Sequence, residues 1–312
     1  MKWNQTNDPG CASTTAPPSR RRPVAGLILL ASLLAAAPAA CRRKPSEGSG
    51  AQPAARRPTT TQLTLLTYNV LSDPRRAAER APALLQILRE VDADIVALQE
   101  AAPWFVKLLR DQPWFRSRYR TTSIGAANVA PGGLLILSRF PITRSLVARL
   151  PGRQGRVVLM ADLRIDGTTV AVGTVHLESF LQDGARRAEQ LKLVFPLLQH
   201  GADAILMGDF NFEEGAVPET AHLDKAYKDL WTALRRNAPG YTWDNERSPM
   251  AKRNAFPGEP SRRLDRILFR SETWRPHTVR IIGFRPVSQA EPVLFPSDHF
   301  GVLGVLQHRS ES

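Results

Sequence analysis

Polar side chains recur in this chain where apolar runs stop: Asn69, Glu100, His176, Asp209 with Asn211, Asp265, and Asp298 with His299. A strand end holds its backbone rigid while its side chain reaches over a cleft, so such placing points to a site. Carboxylates and imidazoles carry protons and bind cations, and amides orient them. Each residue alone has a plainer reading. An Asp or Asn after a strand forms a turn more often than a site, Glu100 stands where it could cap a following helix, and His176 could be a satisfied core histidine. So many in one chain, most of them after an apolar run, are hard to account for as turns.

Both cysteines, Cys11 and Cys41, precede residue 58, so the rest of the chain offers no thiol for a disulfide or a thiolate metal site. A metal there must be held by oxygen or imidazole. That favours a hard cation such as Mg²⁺ or Mn²⁺ over structural zinc. Lys and Arg outnumber Asp and Glu by 42 to 29. Much of the excess lies before residue 58, and the remainder carries 33 bases against 27 acids. That surplus suits a polyanionic partner and equally suits a solvated basic surface.

Arg20, Arg21 and Arg22 precede an apolar stretch of 14 residues, 24–37 (VAGLILLASLLAAA), which is followed by Pro38-Ala39-Ala40-Cys41. A basic start, a short apolar run and small residues make an export signal; 14 residues are short for a membrane span, and plain secretion and an uncleaved anchor are the alternatives to lipidation. The ending resembles a bacterial lipobox, with Pro38 where an aliphatic residue is usual. Residues 1–41 therefore read as an export segment with a possible membrane tether through Cys41, and an extracytoplasmic location is expected. Residues 42–61, rich in Pro, Ser, Gly and Arg, read as a flexible linker, and 62–308 as one catalytic domain.

Short apolar runs alternate with helical periods across that domain. Strands are expected over 63–71, 94–100, 133–140, 204–211, 264–270, 279–284 and 300–307, with helices over 77–91, 103–111 and 185–199. Runs 157–165 and 168–177 form a hairpin around Asp166-Gly167, a pair that tolerates positive φ in a tight turn. Hairpins with interspersed helices imply an α/β fold, two packed mixed sheets with helices outside: a four-layer sandwich. No coiled coil or partner helix is visible, so a monomer is expected.

Tyr68-Asn69-Val70, Leu98-Gln99-Glu100, His176-Leu177, Gly208-Asp209-Phe210-Asn211, Leu264-Asp265-Arg266 and Ser297-Asp298-His299 together resemble the ordered signatures of the endonuclease/exonuclease/phosphatase superfamily. Longer strings are most similar to the 5′-tyrosyl-DNA phosphodiesterase branch: His176-Leu177-Glu178-Ser179 with Arg187 and Gln190, Tyr241-Thr242-Trp243-Asp244, and Phe295-Pro296-Ser297. One departure is Leu71, where that branch carries an Asp; Asp73 is the nearest carboxylate that could replace it.

The resemblance implies a metal-dependent phosphodiester hydrolase acting on a substrate such as nucleic acid, with water attacking phosphorus directly. Glu100 would hold Mg²⁺ or Mn²⁺, with Asp298 contributing. Asp209 would orient or deprotonate the water, while Asn69 and Asn211 position it. His299, oriented by Asp265, would be a base or a cationic phosphate clamp, and His176 would contact the phosphate. Trp243 could stack on a base or leaving group, or be a half-buried core residue. Arg187 and Arg266 could touch phosphates or pair at the surface. An export signal sits uneasily with an intracellular DNA adduct, so an exported nuclease, a nucleotide or phospholipid-headgroup phosphodiesterase, and an inactive binding lipoprotein are the competing readings.

Overall fold

Leu63 and Leu65 of β1 (Gln62–Asn69) enter one apolar cluster, while Leu66 and Tyr68 enter another. Strand β2 (Ile95–Gln99) divides in the same way, Ile95 and Ala97 against Val96 and Leu98. Side chains alternate faces along a strand, so a run apolar on both faces needs cover on both. The computed structural model, which describes residues 60–122, 133–290 and 292–309, supplies that cover in four layers.

One sheet runs β11-β12-β1-β2-β4-β3 and the other β5-β6-β7-β8-β10-β9. The first joins β1 and β2 to β3 (Arg120–Thr121), β4 (Leu135–Ser138), β11 (Trp274–Ile282) and β12 (Gly301–His308). The second holds β5 (Ile142–Arg149), β6 (Val157–Ile165), β7 (Thr168–His176), β8 (Asp203–Asp209), β9 (Lys228–Asp229) and β10 (Asp265–Arg270). The inner cluster joins Leu65 and Ile95 of one sheet to Val172, Ile205, Met207 and Ile267 of the other. Outside the first sheet lie α1 (Ala77–Val91), α2 (Pro103–Arg110) and α3 (Pro113–Arg118); outside the second lies α4 (Gly184–Leu197). Leu84 and Leu88 of α1 are buried against the first sheet, each stabilising the fold by about 2 kcal/mol on apolar area. The expected four-layer α/β sandwich is the observed fold.

Strands β1 and β2 pair in parallel across α1, and β7 and β8 in parallel across α4. The Asp166-Gly167 hairpin forms, with φ of 47° and 86° at the two residues. Other expectations needed correction. The sequence does not signal strand β5, because all its side chains are at least partly exposed and show no apolar face. The strand expected over 279–284 begins earlier, at Trp274, and its register shifts between Pro276 and Thr278, which blurs the alternation. Three short helices, α3, α5 (Leu230–Arg235) and α6 (Pro249–Asn254), span six residues each, too few to show a period. The export segment over 1–41 and the linker up to residue 59 lie outside the described residues.

Candidate active site

Alternation decides what reaches the cleft. On the inner face of β1 the order is Leu63, Leu65, Thr67, Asn69, so the apolar core gives way to a hydroxyl and then an amide. Thr67 Oγ1 donates to Gln99 Oε1 (3.3 Å), and Gln99 Nε2 donates across to Thr174 Oγ1 (3.0 Å), which closes the core beneath the site with a buried polar layer. In the second sheet, His176 of β7 pairs with Asp209 of β8, and Asp209 with Asp265 of β10. Neighbours in register point the same way, so these three side chains form one row.

Asp209 is the hub of that row. Its Oδ2 accepts from Asn69 Nδ2 (3.1 Å) and lies 3.4 Å from His176 Nε2 and 3.7 Å from His299 Nε2. Its Oδ1 accepts from the Asn211 backbone N–H (3.0 Å). Burial raises the Asp209 pKa to about 6, against the pull of the His299 charge. His299 Nδ1 is 2.8 Å from Asp265 Oδ2. Burial alone would lower the His299 pKa, but the carboxylates of Asp265, Asp209 and Asp298 outweigh it and raise the value to about 10. His176 moves the other way: burial, then the charges of Arg156 and His299, hold it well below 6.5, hence neutral.

Glu100 follows β2 in the left-handed region, φ 55°, an uncommon posture for a non-glycine residue that turns its carboxylate into the cleft. Its Oε1 accepts from Asn69 Nδ2 (3.2 Å), and its Oε2 accepts from the Ser72 N–H (2.9 Å) and hydroxyl (2.7 Å). Asp298 Oδ2 accepts from Asn254 Nδ2 (2.8 Å). Glu100 and Asp298 line one cavity of about 190 Å³, and neither makes an ion pair among the described residues. Burial raises the Asp298 pKa, and the Glu100 charge adds to the rise although His299 opposes it. Two oxygen-donor carboxylates facing one cavity without a cation of their own fit a hard divalent ion. Asp209, Asp265 and His299 also bring ligand-type atoms within 4.8 Å of one another. There, however, Asp265 is already committed to His299 Nδ1, so that trio is a hydrogen-bonded acid–imidazole cluster rather than an open set of ligands.

Every expected site residue except Asp265 lines or borders this cavity, and Asp265 stands directly behind His299. Both hydrogens of the Asn69 amide are spent on Glu100 and Asp209, so Asn69 bridges the two halves of the site. Asn211 Nδ2 donates to Leu177 O (3.0 Å). Trp243 is a core residue, buried at 7 % exposure rather than half-buried: it packs on Ala251 and Leu264, lines the cavity, and stands 4.9 Å from the His299 ring between centroids. Arg187 and Arg266 do not reach this cavity, and the ion pairs they form are buried rather than at the surface. Arg187 is buried on Glu219, and Arg266 on Asp229 and the Phe212 carbonyl. Asp73 pairs with Arg75 and does not replace the carboxylate absent at Leu71, whose side chain packs with the cluster of Met250, Leu294, Phe295 and Phe300.

Sequence reasoning missed Arg156, Asn254 and Arg262, all of which line the cavity. Nothing distinguishes these two arginines among the 42 basic residues until the fold places them. Among the described residues the Arg156 and Arg262 Nε groups have no hydrogen-bond partner, although Arg262 also pairs with Glu259 through its Nη2.

A two-sheet sandwich whose strand ends meet in a carboxylate, amide and imidazole cleft of this kind defines a metal-dependent phosphodiester hydrolase. The chain belongs to the Endonuclease/Exonuclease/phosphatase family, whose model matches residues 66–299. It is similar to tyrosyl-DNA phosphodiesterase 2 of Rattus norvegicus, 28% identical over 258 residues, covering 79% of this chain and 67% of that protein. The Homo sapiens protein of that name is 26% identical over 250 residues, covering 78% and 67%. This chain thus spans about two thirds of the length of those relatives. Among solved structures, D. rerio TDP2 complexed with single strand DNA product matches with a TM-score of 0.68 and 25% identity over 80% of this chain and 100% of that one. The human Nocturnin catalytic domain, with a TM-score of 0.59 and 19% identity over 80% and 94%, shares the fold.

Proposed function

We propose that this chain hydrolyses phosphodiesters at nucleic-acid ends, 5′-tyrosyl-DNA among them, using Mg²⁺ or Mn²⁺. The observation that carries the reading is Asp209 bridged to Glu100 through Asn69 and flanked by a neutral His176 and a cationic His299. Hydrolysis of a phosphodiester anion needs its charge neutralised, water aimed in line, and the leaving oxygen stabilised. Glu100 and Asp298 would hold the metal ion, which when bound polarises a phosphoryl oxygen. Asp209 takes the proton of the attacking water, held in place by Asn69 and the Asn211 N–H. His299, kept protonated by Asp265, is a clamp on the phosphoryl oxygens rather than the base. Neutral His176 donates a hydrogen bond to the same group. As the water oxygen bonds to phosphorus, the P–O bond to the leaving oxygen breaks, and that oxygen departs as a phenolate or alkoxide that takes its proton from solvent, with Trp243 lining the cavity alongside. Among the described residues Ser179 is the one hydroxyl residue lining the cavity, and its Oγ is bonded with the Gln154 side chain rather than with a base, which supports direct attack by water.

We also propose an extracytoplasmic location with a tether through Cys41; the basic and apolar segment before that cysteine supports this. The location gives weight to a second reading, a phosphodiesterase of lipid headgroups. Phe180 and Phe256 favour it: they are 38% and 37% exposed, their rings are 5.9 Å apart, and Phe256 lines the cavity.

The deciding assay presents the full chain, with Mg²⁺ or Mn²⁺, with a 5′-phosphotyrosyl oligonucleotide, the plain oligonucleotide, phospholipid vesicles and bis-p-nitrophenyl phosphate. Asp209→Ala is the control. Release of tyrosine supports the first reading, headgroup release the second, and equal metal-dependent turnover by Asp209→Ala overturns the site.

A further inference from the structure

Arg80, one turn into α1, is wholly buried, and among the described residues no carboxylate is bonded to it. Its Nη1 donates to the carbonyls of Val70 (3.3 Å) and Pro296 (3.0 Å), and its Nη2 to those of Leu71 (3.4 Å) and Asp73 (2.6 Å). One guanidinium therefore ties the loop after β1 to the loop before β12. Burying a cation on neutral carbonyls alone is costly, and an apolar side chain of similar volume would fill the same space. The charge is more informative than the packing.

Both tied loops serve the candidate metal side of the cleft. The first carries Ser72, whose N–H and hydroxyl hold Glu100 Oε2. The second runs on through Ser297, whose hydroxyl donates to the Asn69 carbonyl (2.7 Å), to Asp298. Trp104 steadies the first loop by donating from Nε1 to the Ser72 carbonyl (3.2 Å), with the Arg80 guanidinium 5.9 Å from its ring centroid. The nearest carboxylate charges acting on Arg80 are those of Asp298, Asp73 and Glu100. Its fixed positive charge offsets the repulsion between Glu100 and Asp298 while its hydrogen bonds fix their spacing.

We infer that Arg80 is a positioning residue for metal binding, joining the Ser72 and Asp298 loops so that Glu100 and Asp298 meet a divalent ion already arranged. The inference rests on the proposed reading of Glu100 and Asp298 as the metal-holding pair. Arg80 does not line the cavity, so it acts through those two residues and not on the substrate.

The test titrates Mn²⁺ calorimetrically into the full chain as wild type, Arg80→Lys, Arg80→Met and Glu100→Gln, each checked for folding by circular dichroism. Both Arg80 variants are expected to bind Mn²⁺ about tenfold or more weakly, the range seen when a group supporting a ligand is lost. Turnover should follow the weakened Mn²⁺ dependence while KM for the ester at saturating metal holds. A purely structural role would lower the melting temperature and leave Mn²⁺ affinity of the folded protein in place. Lysine keeps the charge but cannot span four carbonyls, so Arg80→Lys carries the test if Arg80→Met does not fold. Wild-type affinity in folded Arg80→Lys overturns the proposal. Wild-type affinity in Glu100→Gln instead overturns the metal assignment beneath it, so the two failures are distinct.

Discussion

Asp265 Oδ2 stands 2.8 Å from His299 Nδ1 with both residues buried, so the imidazole is locked in one orientation and its positive charge is held in place. The fold fixes the partners separately: Asp265 opens β10, and His299 comes two residues before β12 in the other sheet. Their contact joins the sheets at the cleft.

Asp265→Asn is expected to lower kcat by roughly 10²-fold, the upper range for loss of a supporting partner. The His299 pKa, about 10 with the carboxylate present, should fall because the largest favourable charge has gone while burial remains. NMR titration of the imidazole reads this directly. An unchanged histidine titration in Asp265→Asn would remove the basis for His299 as a cation.

The pH profile has a defined shape. Burial puts the Asp209 pKa at about 6, and only the ionised form can take a proton from water. Activity is therefore lost as pH falls through about 6. His299 must stay protonated to clamp, so activity is also lost as pH rises through about 10. Between those limits kcat/KM should be flat. Asp209→Asn should cost roughly 10³-fold and abolish the acid limb, and a limb near 4 in the wild type would contradict the buried-base assignment.

Gly208 is the residue that lets Asp209 sit where it does. Its φ is 146°, and a Cβ there would overlap the carbonyl oxygen of Val175 on the neighbouring strand. Gly208→Ala must push β7 and β8 apart at the site, since backbone cannot swing aside as a side chain can. A cost of roughly 2–4 kcal/mol in urea unfolding is expected, with a fall in kcat larger than the loss of folded protein explains. A neutral change in both would show that the strands tolerate the separation.

Much of this was legible in the sequence wherever alternation was strong. Helix α1 begins and ends as its periodicity implies, and the parallel strands carry Asn69, His176 and Asp209 at or next to the ends where their apolar runs stop. What pattern does not encode is direction outside regular structure. Glu100 would point away from the cleft by alternation, and only its left-handed backbone brings it in. Arg187 and Arg266 looked like surface or phosphate-binding groups because a sequence does not show the Glu219 and Asp229 carboxylates that bury them. Arg156 is the converse, a basic residue like many others until β6 starts beside it.

The polar layer under the site offers a test of how the sheets are held in register. Gln99 accepts from Thr67 and donates across to Thr174, and all three are fully buried. Gln99→Leu leaves both hydroxyls without their partner, at an expected cost of about 1–3 kcal/mol. Adding Thr174→Val removes one stranded hydroxyl, so the double variant should be less destabilised than the sum of the singles by about 1 kcal/mol. Urea unfolding of the four proteins measures that coupling. Simple additivity would mean that the bond between the sheets contributes little, and that the alignment of Asn69 with Asp209 depends on apolar packing below and on the Arg80 and Ser297 ties above.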